Sequence, residues 1–379
     1  MPYAPSAALS RRHAAVRDAM ASASLDALVV VSVPNIAYLT NFGGSSACVV
    51  LTPDALHFIT DSRYTTVVAD TQQTDHACPG LDLVVVDGSY DATLASVLSK
   101  GGALRVGFEG AHLTVSRHGW LQSSLASLAT PPTLVPVENI VEQIRCVKDA
   151  YEIDVLRVAG QMLSDVTVRV LRLVKRGMTE RALALDIDTA VRRAGFEKSA
   201  FDTIVASGPN AALPHARPTN RSLGEGDLVV LDFGGVHASY CVDLTRTVVV
   251  GKPSERVHEV YAAVLHAHDR AVAATVPGAS RFDIDAAARD VLNAAGMGAA
   301  FGHGTGHGLG LEVHEGPRIA KRGPDEDASA EEVTAGMVFT IEPGAYFPGW
   351  GGVRIEDDVR VTESGVELLT KAPTELIAV

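Results

Sequence analysis

Acidic side chains set among apolar neighbours limit how this chain can fold. Asp232 sits in VVLDFGG, Asp243 in YCVDLTRT, Glu342 in FTIEPG and Glu356 in VRIEDDV, all of which read as strands. A carboxylate in such surroundings is costly unless it is paired or bound to a cation. Asp232 ends a strand at 228–233, and Asp243 follows on the next strand after a short connection through GGVHAS. If the two strands pair antiparallel, both acids face one side and can bridge or chelate a metal; two turn-stabilising aspartates are the alternative. With His307 in GTGHGLGLEVHE, the acids form a set able to hold two divalent cations. Carboxylates and one imidazole, without thiolate, suit Mn²⁺ best and are compatible with Co²⁺, Zn²⁺ or Fe²⁺. Calcium does not normally use histidine. Such a pair of ions makes water nucleophilic toward unreactive carbonyls at neutral pH.

The surroundings of these residues extend the pattern. HGTGHGLGLEVHE also holds His303 and His314. Glycines let the backbone approach closely, so imidazoles there can reach a ligand. One histidine on an apolar face is ordinarily structural, but three in this segment are poorly explained that way. LEVHE alternates as a strand, which would place Glu312 and His314 on one face. Pro343 removes a donor and ends the strand that carries Glu342. Arg354 and Glu356 share a face by period two. Arg354 is therefore read as orienting a ligating carboxylate from behind, with a surface ion pair as the alternative.

At 379 residues the chain exceeds the usual size of a single core, so two domains are expected. Hydrophobic content of 47% with 20% charged residues fits a soluble globular class. Lys and Arg number 32 against 45 Asp and Glu, a net charge of −13 that argues against a nucleic-acid partner. Cys48, Cys78, Cys146 and Cys241 are widely spaced and form no CxxC pair. They read as buried free thiols in a reducing cytosol, not a zinc site or disulfide framework. The N-terminus has no apolar core of signal-peptide length. The strongly apolar run at 28–33 is too short to span a bilayer. A cytoplasmic protein without a membrane partner is expected.

Residues 1–145 alternate strand and helix patterns, the mark of an α/β domain. Strands are expected at 28–33, 81–86 and 105–108, a hairpin at 48–60 with its turn at Pro53-Asp54, and a helix at DATLASVLSK. Proline-rich extended chain at 131–138 closes the domain. A long helix then starts after Asp149 as N-cap, with Ile153, Leu156, Leu163, Val166, Val170 and Val174 on one face. Lys175 and Arg176 fall in its expected last turn and Gly177 stops it. Residues 150–379 repeat themselves. GMTERALALDIDTAVRRAG at 177–195 matches GASRFDIDAAARDVLNAAG at 278–296, and GDLVVLDFG at 226–234 matches GMVFTIEPG at 336–344. Asp232 and Glu342 occupy the same slot of the second pair. An α+β domain of two pseudo-two-fold halves, with its site between them, follows.

Together these strings resemble the pita-bread metallopeptidases, the family of methionine aminopeptidase, Xaa-Pro aminopeptidase and Xaa-Pro dipeptidase (prolidase). Residues 150–379 look like the catalytic domain. Residues 1–145, with NIAYLTNFGG and DSRY, look like the N-terminal domain of the proline-directed branch and of creatinase. By that likeness they would support dimerisation and cap a neighbouring subunit's pocket. The resemblance implies a dinuclear-metal exopeptidase that cleaves proline-containing dipeptides or short peptides and works as a homodimer or higher homo-oligomer.

By position, the resemblance implies that Asp232 and Asp243 bind one metal, with Asp243 also reaching the second. His307 would be the nitrogen ligand, and Glu342 and Glu356 would complete both shells. His215 in LPHARPTN is similar to a substrate-side histidine, and His314 to one that contacts the scissile carbonyl or oxyanion. His303 resembles a histidine that aids proton movement, and Glu342 would carry the proton to the leaving proline nitrogen. Arg318 in HEGPRI matches an arginine that in some prolidases binds the terminal carboxylate of the dipeptide. That leans the reading toward a dipeptidase, although aminopeptidase-like relatives share the string. Methionine aminopeptidase fits less well, because it normally lacks such an N-terminal domain and the His303 position. Creatinase works without metal, and a metal-free binding module would show replaced ligands; none of the five is replaced.

Overall fold

Short β-branched runs build a six-stranded mixed sheet in the first part of the chain. Its order is Leu81–Val85, Leu56–Thr60, Cys48–Leu51, Ala27–Val30, Arg105–Glu109, Thr133–Val137. The structure is a computed structural model that describes residues 3–323 and 332–379. It divides into two units, Met1–Arg145 and Cys146–Val379. In the first, the expected hairpin turns between Leu51 and Leu56, closed by the Thr52 N–H to the Ala55 carbonyl at 2.9 Å. The apolar run at 28–33 is a strand only to Val30. The Glu109 carboxylate accepts the Val31 and Ser32 N–H groups at 2.6 and 2.7 Å, and Pro34 starts the helix Val33–Thr40. Leu81–Val85, expected to be buried, is a half-exposed edge strand. The proline-rich stretch is the opposite edge, where Pro136 can lack a ladder N–H. No disulfide joins the cysteines; Cys48, Cys78 and Cys241 are buried, and Cys146 is only half-buried. No described helix is long and apolar enough to cross a membrane.

The second unit begins with the helix Ala150–Leu171. Asp149 caps it, and Glu152 returns the bond in a capping box. The helix stops at Leu171, short of the expected end. Arg172 and Leu173 bond three residues back, to the carbonyls of Arg169 and Val170, which tightens the last turn. Lys175 and Arg176 therefore lie beyond the helix, although Val174 stays in the core.

The internal repeat is a repeat of structure. Gly177 and Gly278 both adopt left-handed φ, +86° and +83°, and donate to the carbonyls of Leu223 and Val333. Thr179 and Ser280 then cap the helices Glu180–Arg193 and Arg281–Ala294. Gly226 and Gly336 donate to the carbonyls of Val250 and Val361. Each opens an antiparallel pair: Leu228–His237 with Tyr240–Val249, and Val338–Ile341 with Asp357–Val361. Each pair carries its own core. Helices Ala150–Leu171 and Glu180–Arg193 pack on the first, and Glu255–Ala274 and Arg281–Ala294 on the second. A bridge between Thr245 and Glu356 links the two halves.

Two strand expectations change near the site. Residues 309–314 are irregular, and a strand starts only at Glu315. The register with Gly306–Gly308 shifts after His307, so LEVHE does not alternate. VRIEDDV is two strands, because Gly351–Arg354 pairs with Gly344–Phe347 whereas Asp357–Val361 pairs with Val338–Ile341. Gly306 explains part of the glycine richness: a Cβ there would meet the Thr340 carbonyl oxygen at 1.8 Å. Gly306→Ala is expected to cost about 1–3 kcal/mol through overpacking, read as a lower urea midpoint; an unchanged midpoint would contradict this close approach.

Candidate metal centre

The strand pairings carry the acids to one place. Asp232 stands opposite Thr245, and Asp243 opposite Gly234. Asp232 and Asp243 are therefore two rungs apart and share a face of the sheet. Across the joint, Glu356 bridges Thr245, and Glu342 follows Ile341, the residue opposite Asp357. His307 is held from the same strand, since its N–H donates to Thr340 Oγ1 at 3.1 Å. The Glu342 N–H in turn donates to the Thr305 carbonyl at 2.7 Å. His307 Nε2 then lies 3.6 Å from Glu342 Oε1 and 4.0 Å from Asp243 Oδ2. Asp243, His307 and Glu356 each present a donor atom within 4.8 Å of the other two.

Hydrogen bonds behind the donors fix their orientation. Arg354, 3% exposed, donates Nη2 to Asp232 Oδ2 and Nε to Thr245 Oγ1. Thr245 Oγ1 donates to Glu356 Oε2 at 2.6 Å. The sequence places Arg354 beside a carboxylate; that carboxylate is Asp232, with Glu356 reached through Thr245. Asp358 accepts the Asp243 N–H at 3.0 Å. Arg246 Nη1 donates to the Glu356 carbonyl at 2.6 Å. Sequence reading did not single out Thr245, Arg246, Tyr346 or Asp358. Period two from Asp243 would have found Thr245; nothing local marks Tyr346.

The electrostatics favour a bound cation or proton. Burial, reinforced by the charges of Glu356, Asp232, Asp358 and Glu342, pushes the Asp243 carboxyl far above its usual range. Burial and the neighbouring Glu342 and Asp232 do the same to Glu356. Glu342 is pushed up to about 7, chiefly by burial. Oδ1 of Asp232 and Oδ1 of Asp243 are buried with no hydrogen-bond partner among the described residues. Burial holds His307 down at about 4, so it is neutral. Its Nδ1 lies 3.1 Å from the Gly308 carbonyl, which can only accept. The proton is therefore on Nδ1, and Nε2 offers a lone pair toward the acids. Donors sharing an ion at about 2.1 Å stand roughly 3–4 Å apart, and the 3.6 and 4.0 Å from His307 Nε2 to Glu342 and Asp243 fall in that range. The residues fit divalent metal.

A cavity of about 740 Å³ opens over these five side chains. His215, His303, His314, Arg318 and Arg354 line it too. His303 is neutral, its pKa lowered to about 4 by burial. Its Nδ1 faces the Gly304 carbonyl at 2.8 Å, so its Nε2 accepts from the Tyr346 hydroxyl at 2.9 Å. Tyr346 accepts from Arg354 Nη1 at 2.9 Å. A chain of contacts thus runs from His303 to Asp232. The His314 ring meets that of His307 edge-on at 4.3 Å. A second cavity of about 240 Å³ in the first unit is lined by Phe42, Phe58 and Tyr64 and has no acid, histidine or basic side chain in its wall.

Residues 154–363 match the family model described as Metallopeptidase family M24. The chain belongs to that family. Residues 12–147 match the Creatinase/Prolidase N-terminal domain. The chain is 38% identical over 362 residues to the uncharacterized peptidase YqhT of Bacillus subtilis, covering 96% of this chain and 98% of that one. The solved structure of an Xaa-Pro dipeptidase from Bacillus anthracis superposes with a TM-score of 0.91 at 34% identity, covering 98% of this chain and 100% of the other. An X-Pro aminopeptidase from Thermotoga maritima gives 0.83 at 32% identity, covering 94% and 98%. This M24 metallopeptidase is thus a hydrolase with the pita-bread catalytic fold, in a family that uses divalent metal.

The crowded acids make a pH-dependent prediction for metal-free protein. Asp243 holds its proton in the folded state to a higher pH than in the unfolded chain, where its pKa is about 3.9. The folded state binds more protons, so stability falls as pH rises above that value. Asp243→Asn removes the charge and should melt higher than metal-free wild type at pH 8, with the gain shrinking toward pH 4. A gain independent of pH would show that the carboxyl is not held protonated.

Proposed function

We propose that this protein is a dinuclear-metal exopeptidase of the Xaa-Pro dipeptidase type, with Asp232, Asp243, His307, Glu342 and Glu356 holding two divalent cations, Mn²⁺ by preference. The convergence of these five donors at the floor of a cavity that also holds His215, His314 and Arg318 carries the reading. Bound there, a divalent pair would supply a water nucleophile at neutral pH and polarise the substrate carbonyl.

The chain's own groups perform the remaining tasks. Arg318 lies opposite His307 in the strand register, exposed at the cavity wall. Its guanidinium can take the terminal carboxylate of a dipeptide in a two-point bond. His215 and His314, both exposed, face substrate, and His314 donates a hydrogen bond to the developing oxyanion. Glu342 takes the proton from water and delivers it to the departing proline nitrogen. That nitrogen carries no hydrogen in the substrate, and like any departing amide nitrogen it must gain a proton, which a positioned donor supplies. Arg354 and Thr245 keep Asp232 and Glu356 oriented, and His303 with Tyr346 extends the path for protons.

An Xaa-Pro aminopeptidase acting on longer peptides is the second reading, supported by the likeness to the Thermotoga maritima enzyme. In either case residues 150–379 would carry the chemistry in a cytoplasmic homo-oligomer, with residues 1–145 serving subunit association.

A panel of Gly-Pro, Ala-Pro and a longer Xaa-Pro peptide, assayed with Mn²⁺, separates the readings. Cleavage confined to dipeptides is expected; cleavage of the longer peptide would favour the aminopeptidase, and no cleavage of any would overturn both. Glu342→Ala should lower kcat at least about 100-fold while the protein still unfolds cooperatively on heating. Near-normal turnover would remove Glu342 from its role.

A further inference from the structure

A buried ion pair lies behind the segment that presents His314. Residues 309–314 belong to no strand or helix, so beyond the Leu309 N–H, which reaches the Val338 carbonyl at 3.4 Å, no ladder or helical repeat fixes them. They fold around the Glu315 carboxylate instead. The Glu312 N–H points to Glu315 Oε2 at 3.4 Å, and a Cβ on Gly310 would stand 2.6 Å from Oε1. The Gly310 N–H bonds the Glu312 carbonyl, and the Gly310 carbonyl accepts from the Cys241 N–H at 2.7 Å. Lys148 Nζ meets Glu315 Oε1 at 2.7 Å, with the two side chains 0% and 7% exposed. Lys148 is itself held, its N–H bonded to the Gly336 carbonyl at 2.9 Å beside the bridge between Val147 and Met337.

Stability alone is a weak reason for this pair. A buried ion pair is often no better than apolar side chains of similar volume. What the pair does offer is a fixed charge for a segment without regular structure. The cavity wall takes both Glu315 and its neighbour His314.

We propose that Lys148 is a positioning residue, which through Glu315 fixes the 309–314 segment so that His314 faces the five donors. The proposal rests on the substrate-side role given to His314 above. Lys148 is not among the described residues that line the cavity, whereas Glu315 is, so its effect passes through the segment.

The test compares Lys148→Met, His314→Ala and the double variant with Mn²⁺ and a dipeptide that wild type cleaves. Lys148→Met should melt cooperatively and lose about 10- to 100-fold in kcat, with KM within about threefold of wild type. In the His314→Ala background the same substitution should change kcat by less than about twofold. Equal losses in both backgrounds would overturn the proposal. Hydrogen exchange on metal-free protein gives a readout that needs no substrate. The amides of Gly310 and Glu312 should exchange faster in Lys148→Met, while those of Leu228–His237 stay as in wild type; unchanged exchange at 310 and 312 would also overturn it. If Lys148→Met does not fold, Glu315→Gln carries the same comparisons. If wild type cleaves no Xaa-Pro peptide, the proposed function fails and the exchange result alone decides the role of Lys148.

Discussion

Mutual repulsion among buried carboxylates is the constraint on which this molecule depends. Asp232, Asp243 and Glu356 are 8%, 4% and 2% exposed, and Glu342 is only partly accessible. Arg354 is buried among them and neutralises one charge through Asp232. The rest is left to high proton affinity, and Oδ1 of Asp232 and of Asp243 find no hydrogen-bond partner among the described residues. Such an arrangement is unfavourable as a piece of core and sensible as a cradle for cations. The strand registers, the bridge between Thr245 and Glu356, and the glycines beside His307 all hold together groups that would otherwise move apart.

The two-fold repeat is how the chain meets that constraint. Each half supplies a glycine-initiated strand that delivers an acid, Asp232 or Glu342, and a returning strand paired to it. Each half packs on a large apolar cluster, with Leu228 and Val249 of the first half and Val338 of the second entering the other's cluster. The departures from symmetry are chemical. Thr245, opposite Asp232, is a hydroxyl that serves Arg354 and Glu356. His307 stands on the short strand Gly306–Gly308, where the other half has Ile204–Ser207, and the pair Gly344–Phe347 and Gly351–Arg354 brings in Tyr346 and Arg354.

Much of this was legible in the sequence, for physical reasons. A carboxylate within an apolar strand is conspicuous, so Asp232, Asp243, Glu342 and Glu356 could be picked out, and the structure brings them with His307 to one cavity. The repeat was readable because its glycines adopt left-handed φ in both copies. Asp149 was readable as a cap because short-range hydrogen bonding decides it. Failures came where a distant partner overrides local pattern. LEVHE alternates in composition, yet the register shift after His307 and the Glu315 carboxylate turn it into an irregular segment. VRIEDDV reads as one strand but changes partner at Ile355 and Glu356. The helix from Ala150 ends early through three-residue bonds that periodicity does not reveal. Tyr346 and Asp358 act only through contacts made by the fold.

Anomalous diffraction from crystals equilibrated with Mn²⁺ bears most directly on the central claim. Two peaks roughly 3.5–4 Å apart, ringed by Asp232, Asp243, His307, Glu342 and Glu356, are the expected result. A cavity that takes up no manganese, with the carboxylates instead sharing protons among themselves, would contradict it.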